Sequence, residues 1–371
     1  MTMKYQRIAL YLVGMLFAST ASADVPDWNE INNSTISRHV LPRYRVLAEA
    51  TAGLDRQSRA FCASADRGAL ERLRHSYHEA MDAWMGVQHL RHGPVERHMR
   101  YFRFQLWPDK HNTGSRRLRE LLMQQDVQAL QPETFRHSSV AIQGFTALET
   151  LLFDSGDTLK ALTGPQAPGF RCRVVEAISH NLATMATELV KDWSTSKTPF
   201  QKMFNADGKS TLGPDGRDNL AARREVAAGF LNLIHTQLEV IIAQKLARPM
   251  AASPAEARPQ RAESWRSRRS LRNIMQNLVA VEDLYLHAYS DAVQASPEGK
   301  ALDSRIRSGF RKSIQQAQDF HRPLVELVRE PADRGPLLQL QQTVAVLLTD
   351  ISSDVNLRLD LPQTFNSLDG D

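Results

Sequence analysis

The sequence is short of several features that would assign a chemistry at once. It has two cysteines, Cys62 and Cys172, so at most one internal bridge. No glycine-rich loop follows a strand-like run and no serine sits in a nucleophile-elbow pattern, which removes nucleotide-binding and α/β-hydrolase readings. His-Glu-x-x-His is also missing, and with it the common helical zinc-peptidase site. Charge of one sign is not concentrated: 46 basic residues stand against 41 acidic ones for a net charge of +5, interspersed except over Arg266 to Arg272. Nucleic acid is therefore not an expected partner. Beyond the N-terminus no apolar run is expected to cross a bilayer, so no transmembrane segment is expected in the mature chain.

What is present begins with an export signal. Lys4 and Arg7 precede the apolar run Ile8 to Ala18, and Ala21-Ser22-Ala23 offers the small residues that signal peptidase accepts. Residues 1–23 read as a signal peptide cleaved after Ala23, which predicts a periplasmic protein; no cysteine follows the run to carry a lipid. In an oxidising compartment an even cysteine count favours a Cys62–Cys172 disulfide, with two separately buried thiols as the alternative.

After the signal the pattern is helical throughout. Asp27 to Asn33 reads as a polar lead, and Ser34 to Cys62 as a helix with Pro42 as a kink or late start. Asp66 caps a helix through His89 on which Leu70, Leu73, Tyr77, Met81, Trp84 and Gln88 trace one face. Val95 to Trp107, Ser115 to Gln125 and Arg171 to Trp193 follow, with loops around Pro108 and from Gly156 to Gly169. Thr195 to Asp218 is glycine- and proline-rich and reads as a linker; within it Asn205-Ala206-Asp207-Gly208 lacks the ligand pattern of a calcium loop and reads as a turn. Helices over Asp218 to Leu246, Ser264 to Val293, Ser296 to Glu330 and Gly335 to Ile351 complete the chain. The expected fold is all-α, two related four-helix-bundle-like domains packed together, residues 24–195 and 196–371.

One position breaks the apolar pattern. His137 to Phe153 carries Ile142, Phe145, Leu148, Leu152 and Phe153 at helical steps, and Glu149 falls on the same stripe. A carboxylate there needs a partner or an opening to water, since leaving it buried and alone costs several kcal/mol. The expected partner is Arg266, an ion pair across the two bundles.

This segment, Gly144-Phe145-Thr146-Ala147-Leu148-Glu149, resembles the Gly-x-His-x-x-Glu signature of the imelysin-like family, with Thr146 in the histidine's place. Further blocks are similar to the family's in the same order: His39-Val40-Leu41-Pro42 with Tyr44 and Phe61-Cys62, Arg91-His92-Gly93-Pro94-Val95, Leu106-Trp107-Pro108-Asp109, Glu263-Ser264-Trp265-Arg266-Ser267, and the ending from Leu361-Pro362 through Phe365 to Asp371. The resemblance implies an exported helical protein with a part in iron-related uptake or regulation and a ligand site where the bundles meet. The candidate ligand-binding residues are Gly144, Thr146, Glu149, Trp107, Asp109, Glu263, Trp265, Arg266 and Ser267. No catalytic residue is assigned. The ligand is expected to be a small molecule or a metal ion, iron or another divalent cation, and an envelope protein is a further candidate partner.

Some relatives are labelled metallopeptidases. Peptide hydrolysis by a metal needs two or three fixed ligands, an open position and a general base, and a hydroxyl at position 146 is a poor ligand for iron or zinc. His75, His78, His89, His92, His98, His111 and His137 read as solvated surface or turn residues rather than as replacements. The two competing readings are a metallopeptidase and an envelope scaffold.

Overall fold

Helix follows helix through the chain. The computed structural model describes residues 26–154, 156–163, 169–195 and 220–362, and there is no strand among them. The leader, the Asn205–Gly208 turn with nearly all of the expected linker, and the ending from Phe365 lie outside the described residues.

Asp27 starts the first helix, α1 (Trp28–Thr35), by accepting from the backbone N–H groups of Asn29 and Glu30. Its composition is polar, which is why it reads as a lead, yet Trp28, Asn32 and Thr35 are buried. They pack against the second half of the chain, where the Asn32 amide donates to the Arg223 carbonyl at 2.9 Å. The chain then passes through a wide turn, Ile36–Val40, into α2 (Leu41–Ala63). In that turn the Leu41 N–H reaches the Ile36 carbonyl, five residues back. Pro42 comes next, with no N–H to give and a ring that would press on the carbonyl four residues earlier; widening the turn relieves both conflicts.

α3 (Arg67–Met85) is capped by Asp66, which accepts from the Ala69 N–H at 2.7 Å. α4 (Thr113–Gln124), α5 (Phe145–Phe153) and α6 (Phe170–Thr195) complete the first half, with α2 packed along α3 and α6 and α5 against α6. Cys62 and Cys172 are bonded, their α-carbons 5.7 Å apart, joining the end of α2 to the start of α6.

The second half repeats the plan. α7 (Leu220–Glu239) runs on through another wide turn, Val240–Ala247, in which the Arg248 N–H reaches the Ala243 carbonyl directly before Pro249. α8 (Ser270–Ala288), α9 (Pro297–Gln318) and α10 (Pro331–Thr349) close the bundle, α8 on α7 and α9, α10 on α7 and α9. Arg223–Met250 is long and apolar enough to cross a membrane, with mean hydropathy 1.5, contrary to the expectation of no such run. Its most apolar stretch is 72 % buried in the protein, with α1, α8 and α10 around it, and a helix enclosed by other helices has that composition.

Some helices are shorter than their periodicity predicts. His98 and Met99 hold left-handed backbone, so helix resumes only at Arg100–Phe104. α8 begins at Ser270, not Ser264, because Ser264 (φ 51) and Arg268 (φ 60) fold the intervening residues into a turn.

His75, His98, His111 and His137 are exposed, whereas His89 is 0 % exposed and pairs with His39, another buried ring. His39 lies in the first wide turn; its Nε2 is 2.8 Å from His89 Nε2 and its Nδ1 2.6 Å from Asp283 of α8. Both rings neutral satisfies this chain, His39 donating to Asp283 and accepting from His89. Burial lowers the His39 pKa to about 4 despite Asp283, with Arg43 and His287 also lowering it, and pushes His89 well down under the added influence of His39, Arg43 and Arg91. Asp283, hydrogen-bonded to His39 beside Arg43, is held at about 2 despite its own burial and stays ionised in this range.

An unfolded histidine takes its proton near pH 6.5, so between that value and about 4 the unfolded chain binds more protons than the folded one. The stabilisation is complete above pH 6.5 and is lost as pH falls towards 4. Urea unfolding at pH 7, 5.5 and 4.5 should show a decline of about 3 kcal/mol attributable to His39, and a shallower decline in His39→Gln. Equal slopes in the two proteins would remove the histidine pair as the cause. Removing the bridge with Cys62→Ala and Cys172→Ala should cost about 4 kcal/mol in the same measurement, because it closes a loop of 110 residues.

Candidate functional site

The site is built where α5 meets the turn before α8. Gly144 opens α5, and a Cβ at that position would lie 2.2 Å from the carbonyl oxygens of both Arg103 and Phe104. Only glycine lets the helix start this close to the preceding chain. Thr146, within the first turn, donates its hydroxyl to the Leu106 carbonyl at 3.2 Å. Glu149 follows a turn later and is 4 % exposed.

Glu149 does not pair directly with Arg266. Its Oε1 accepts from the Ser267 backbone N–H at 2.8 Å and the Ser267 hydroxyl at 2.7 Å. The left-handed residues Ser264 and Arg268 fold residues 264–269 back on themselves, with the Arg269 N–H bonded to the Ser264 carbonyl, and the turn aims the Ser267 N–H across the junction. Arg266 instead lies over the Trp265 ring, 4.3 Å from its centroid, with Nε 3.6 Å from Asp154. Burial raises the Glu149 pKa, opposed by the two Ser267 bonds and the nearby Arg266 charge.

Beneath this contact the second half carries a buried ion pair that Gln88 of the first half joins. Lys245, in the second wide turn, meets Glu263 at 2.6 Å, both side chains 1 % exposed. Lys245 also donates to Gln88 at 2.8 Å and Asn277 at 2.6 Å; Glu263 accepts from Gln88 and Asn273, each at 2.9 Å. Gln105 joins by accepting from Trp84 and Gln88. Burial lowers the Lys245 pKa and Glu263 raises it back. Trp107 covers the pair, its ring centroid 5.8 Å from the ammonium.

Above the pair opens a cavity of about 240 Å³. Of the sequence-predicted residues, Trp107, Asp109, Thr146, Glu149, Trp265 and Arg266 line it. Gly144, Glu263 and Ser267 stand behind the wall, as close-contact glycine, ion-pair partner and Glu149 donor respectively. Lys110, Arg248, Arg261 and Tyr77 line it too and were not read from the sequence as site residues.

The sequence profile described as imelysin, of a peptidase family, matches residues 40–351. The chain belongs to the imelysin family. An imelysin-like protein from Psychrobacter arcticum 273-4 shares the fold with a TM-score of 0.74 at 16 % identity, over 93 % of this chain and 98 % of that one. A proposed iron-regulated protein A precursor from Parabacteroides distasonis ATCC 8503 gives 0.63 at 17 % identity, over 90 % and 95 %. No curated protein matches the chain.

Thr146, at the histidine position of the Gly-x-His-x-x-Glu pattern that this segment resembles, has a backbone partner for its hydroxyl. The donor set around Glu149 does not fit a first-row metal ion. Among the described residues no three His, Cys, Asp or Glu side chains converge to hold one, and one oxygen of Glu149 already takes two hydrogen bonds. Lys245, Asn273 and Asn277 left only a faint sequence trace, polar residues on otherwise apolar helix stripes. Arg248 and Arg261 sit in a proline-rich crossover with no periodicity to mark them.

Breaking the ion pair from one side, Lys245→Met, strands a buried carboxylate and should cost about 3–5 kcal/mol of unfolding free energy. Removing both charges with Lys245→Met and Glu263→Leu should recover most of that loss. A double variant no more stable than the single one would show that the hydrogen bonds around the pair, not its charges, carry the stabilisation.

Proposed function

We propose that this imelysin-family protein is an exported, periplasmic binding protein with a part in iron-related uptake or regulation, binding its ligand in the cavity between the bundles without catalysing a reaction. The observation that carries the reading is a partly open, polar cavity at the junction of the two bundles, walled by two indoles and charged groups, a usual makeup for a ligand pocket. Export is supported by the leader pattern of residues 1–23 and by a structural neighbour described as a precursor. The iron connection is supported by that neighbour's description as iron-regulated.

The family profile carries a peptidase name, which favours metallopeptidase as the second reading. Against it stands the donor set: one carboxylate already engaged, a hydroxyl turned to a backbone carbonyl, and no neighbouring imidazole in the cavity wall.

A strain lacking the protein should accumulate less iron under iron limitation, with recovery on wild-type expression and none on a folded Trp265→Ala variant. Unchanged iron content in the deletion strain would remove the iron role, and full recovery with Trp265→Ala would remove the cavity from it. Zinc-dependent cleavage of a peptide panel by the purified protein, abolished in Glu149→Gln, would establish the peptidase instead.

A further inference from the structure

We infer that the interface cavity recognises an oxyanion, a small carboxylate- or phosphate-bearing molecule, rather than a bare metal cation. The inference rests on the cavity being the ligand site and names the chemistry it takes. Four cationic side chains line it, Lys110, Arg248, Arg261 and Arg266, against two acidic ones. Both acids are already engaged: Asp109 accepts from the Thr113 and Gly114 N–H groups at 2.9 and 2.7 Å, and Glu149 from Ser267. Lining cations outnumber lining acids by two, and Arg266 also faces Asp154 at 3.6 Å, which leaves Lys110, Arg248 and Arg261 as the cations without a protein anion among the described residues.

Arg248 and Arg261 sharpen the point. Neither guanidinium has a hydrogen bond or ion pair with any described residue, although both line the same cavity. They also lie near enough to disfavour one another: burial first, then the Arg261 charge, lowers the Arg248 pKa. Two guanidiniums without partners among the described residues, on the wall of one cavity, suit an oxyanion, which can accept paired N–H···O bonds from them; a cation would add to the repulsion. A separate observation comes from Tyr77. Its side chain is 0 % exposed and lines the cavity, and its hydroxyl makes no well-formed hydrogen bond, the neighbour within reach being Ser267, whose own hydroxyl already donates to Glu149. A buried hydroxyl in that condition is an available donor, and an oxyanion oxygen is the acceptor it lacks.

The test is calorimetric titration of the full mature protein with citrate, with ferric citrate, with inorganic phosphate, and with ferrous or zinc ions alone, followed in parallel by tryptophan fluorescence. Citrate or phosphate should bind, more weakly as salt rises, with affinity falling at least tenfold in the Arg248→Ala, Arg261→Ala double variant and several-fold in Tyr77→Phe. Circular dichroism and the unfolding midpoint establish that these variants fold. Equal binding of citrate and ferric citrate assigns recognition to the anion itself; tighter binding of ferric citrate assigns it to the anion as a chelate, and both outcomes support the inference. Anion binding that is unchanged in the double variant would overturn it. Binding of the metal ions alone, lost in Glu149→Gln, with no response to either anion, would also overturn it while leaving the cavity as the site. Silence towards every probe would take down both the oxyanion and the cavity.

Discussion

An ammonium and a carboxylate, Lys245 and Glu263, meet out of reach of water at the junction of the two bundles. Taking such charges out of solvent is costly, and the cost is offset only if their remaining donors and acceptors are satisfied. The partners come from both halves: Gln88 just beyond α3, Asn273 and Asn277 on α8, with Asn277 turning its amide to the Met85 carbonyl at 2.8 Å. The halves cannot slide or rotate against each other without stranding one of these groups. A polar junction of this kind specifies geometry in a way a purely apolar one does not, and the cavity above it inherits that geometry.

Of three wide turns among the described residues, the third being Asp350–Val355, the two that precede prolines bring polar side chains to the middle of the molecule. One residue separates each from a proline, Leu41 before Pro42 and Arg248 before Pro249, and each carries a buried titratable group, His39 in one and Lys245 in the other. An extra residue in a helical turn rotates the succeeding helix relative to the regular stripe, so a position can leave the surface face and point inward. His39 ties the start of α2 to α8 through Asp283, and Lys245 ties the end of the α7 segment to Gln88. The same local device thus fastens the junction from opposite sides.

Glu149 works as a latch in this arrangement. Held by the Ser267 N–H and hydroxyl, it fixes the 264–269 turn, and the turn carries Trp265 and Arg266 into the cavity wall. Both bonds fall on Oε1 of the carboxylate. Threonine at position 146 completes the picture, since its hydroxyl braces the Leu106 carbonyl beside Trp107. In this imelysin the signature helix positions one wall of the cavity.

Much of the fold could be read directly. Helical spacing marked α3, α6 and α8 through α10 because burying one face of a helix imposes a period that composition cannot hide. Asp66 and Ser296 marked helix starts because a cap is a local hydrogen bond, and the even cysteine count pointed to the bridge that forms. Glu149 was recognisable as a carboxylate that must find a partner. Its partner was not, because serine and arginine are neighbours in sequence and only the left-handed backbone at Ser264 and Arg268 decides which of them faces the acid. The polar stretch of α1, the paired His39 and His89, and the Arg248–Arg261 neighbourhood were equally out of reach. Residue spacing along a helix is a property of the chain alone, whereas the meeting of residues a hundred or more positions apart depends on how the helices pack, and the contacts of Ser267 with Glu149 and of Gln88 with Glu263 and Lys245 are of that second kind.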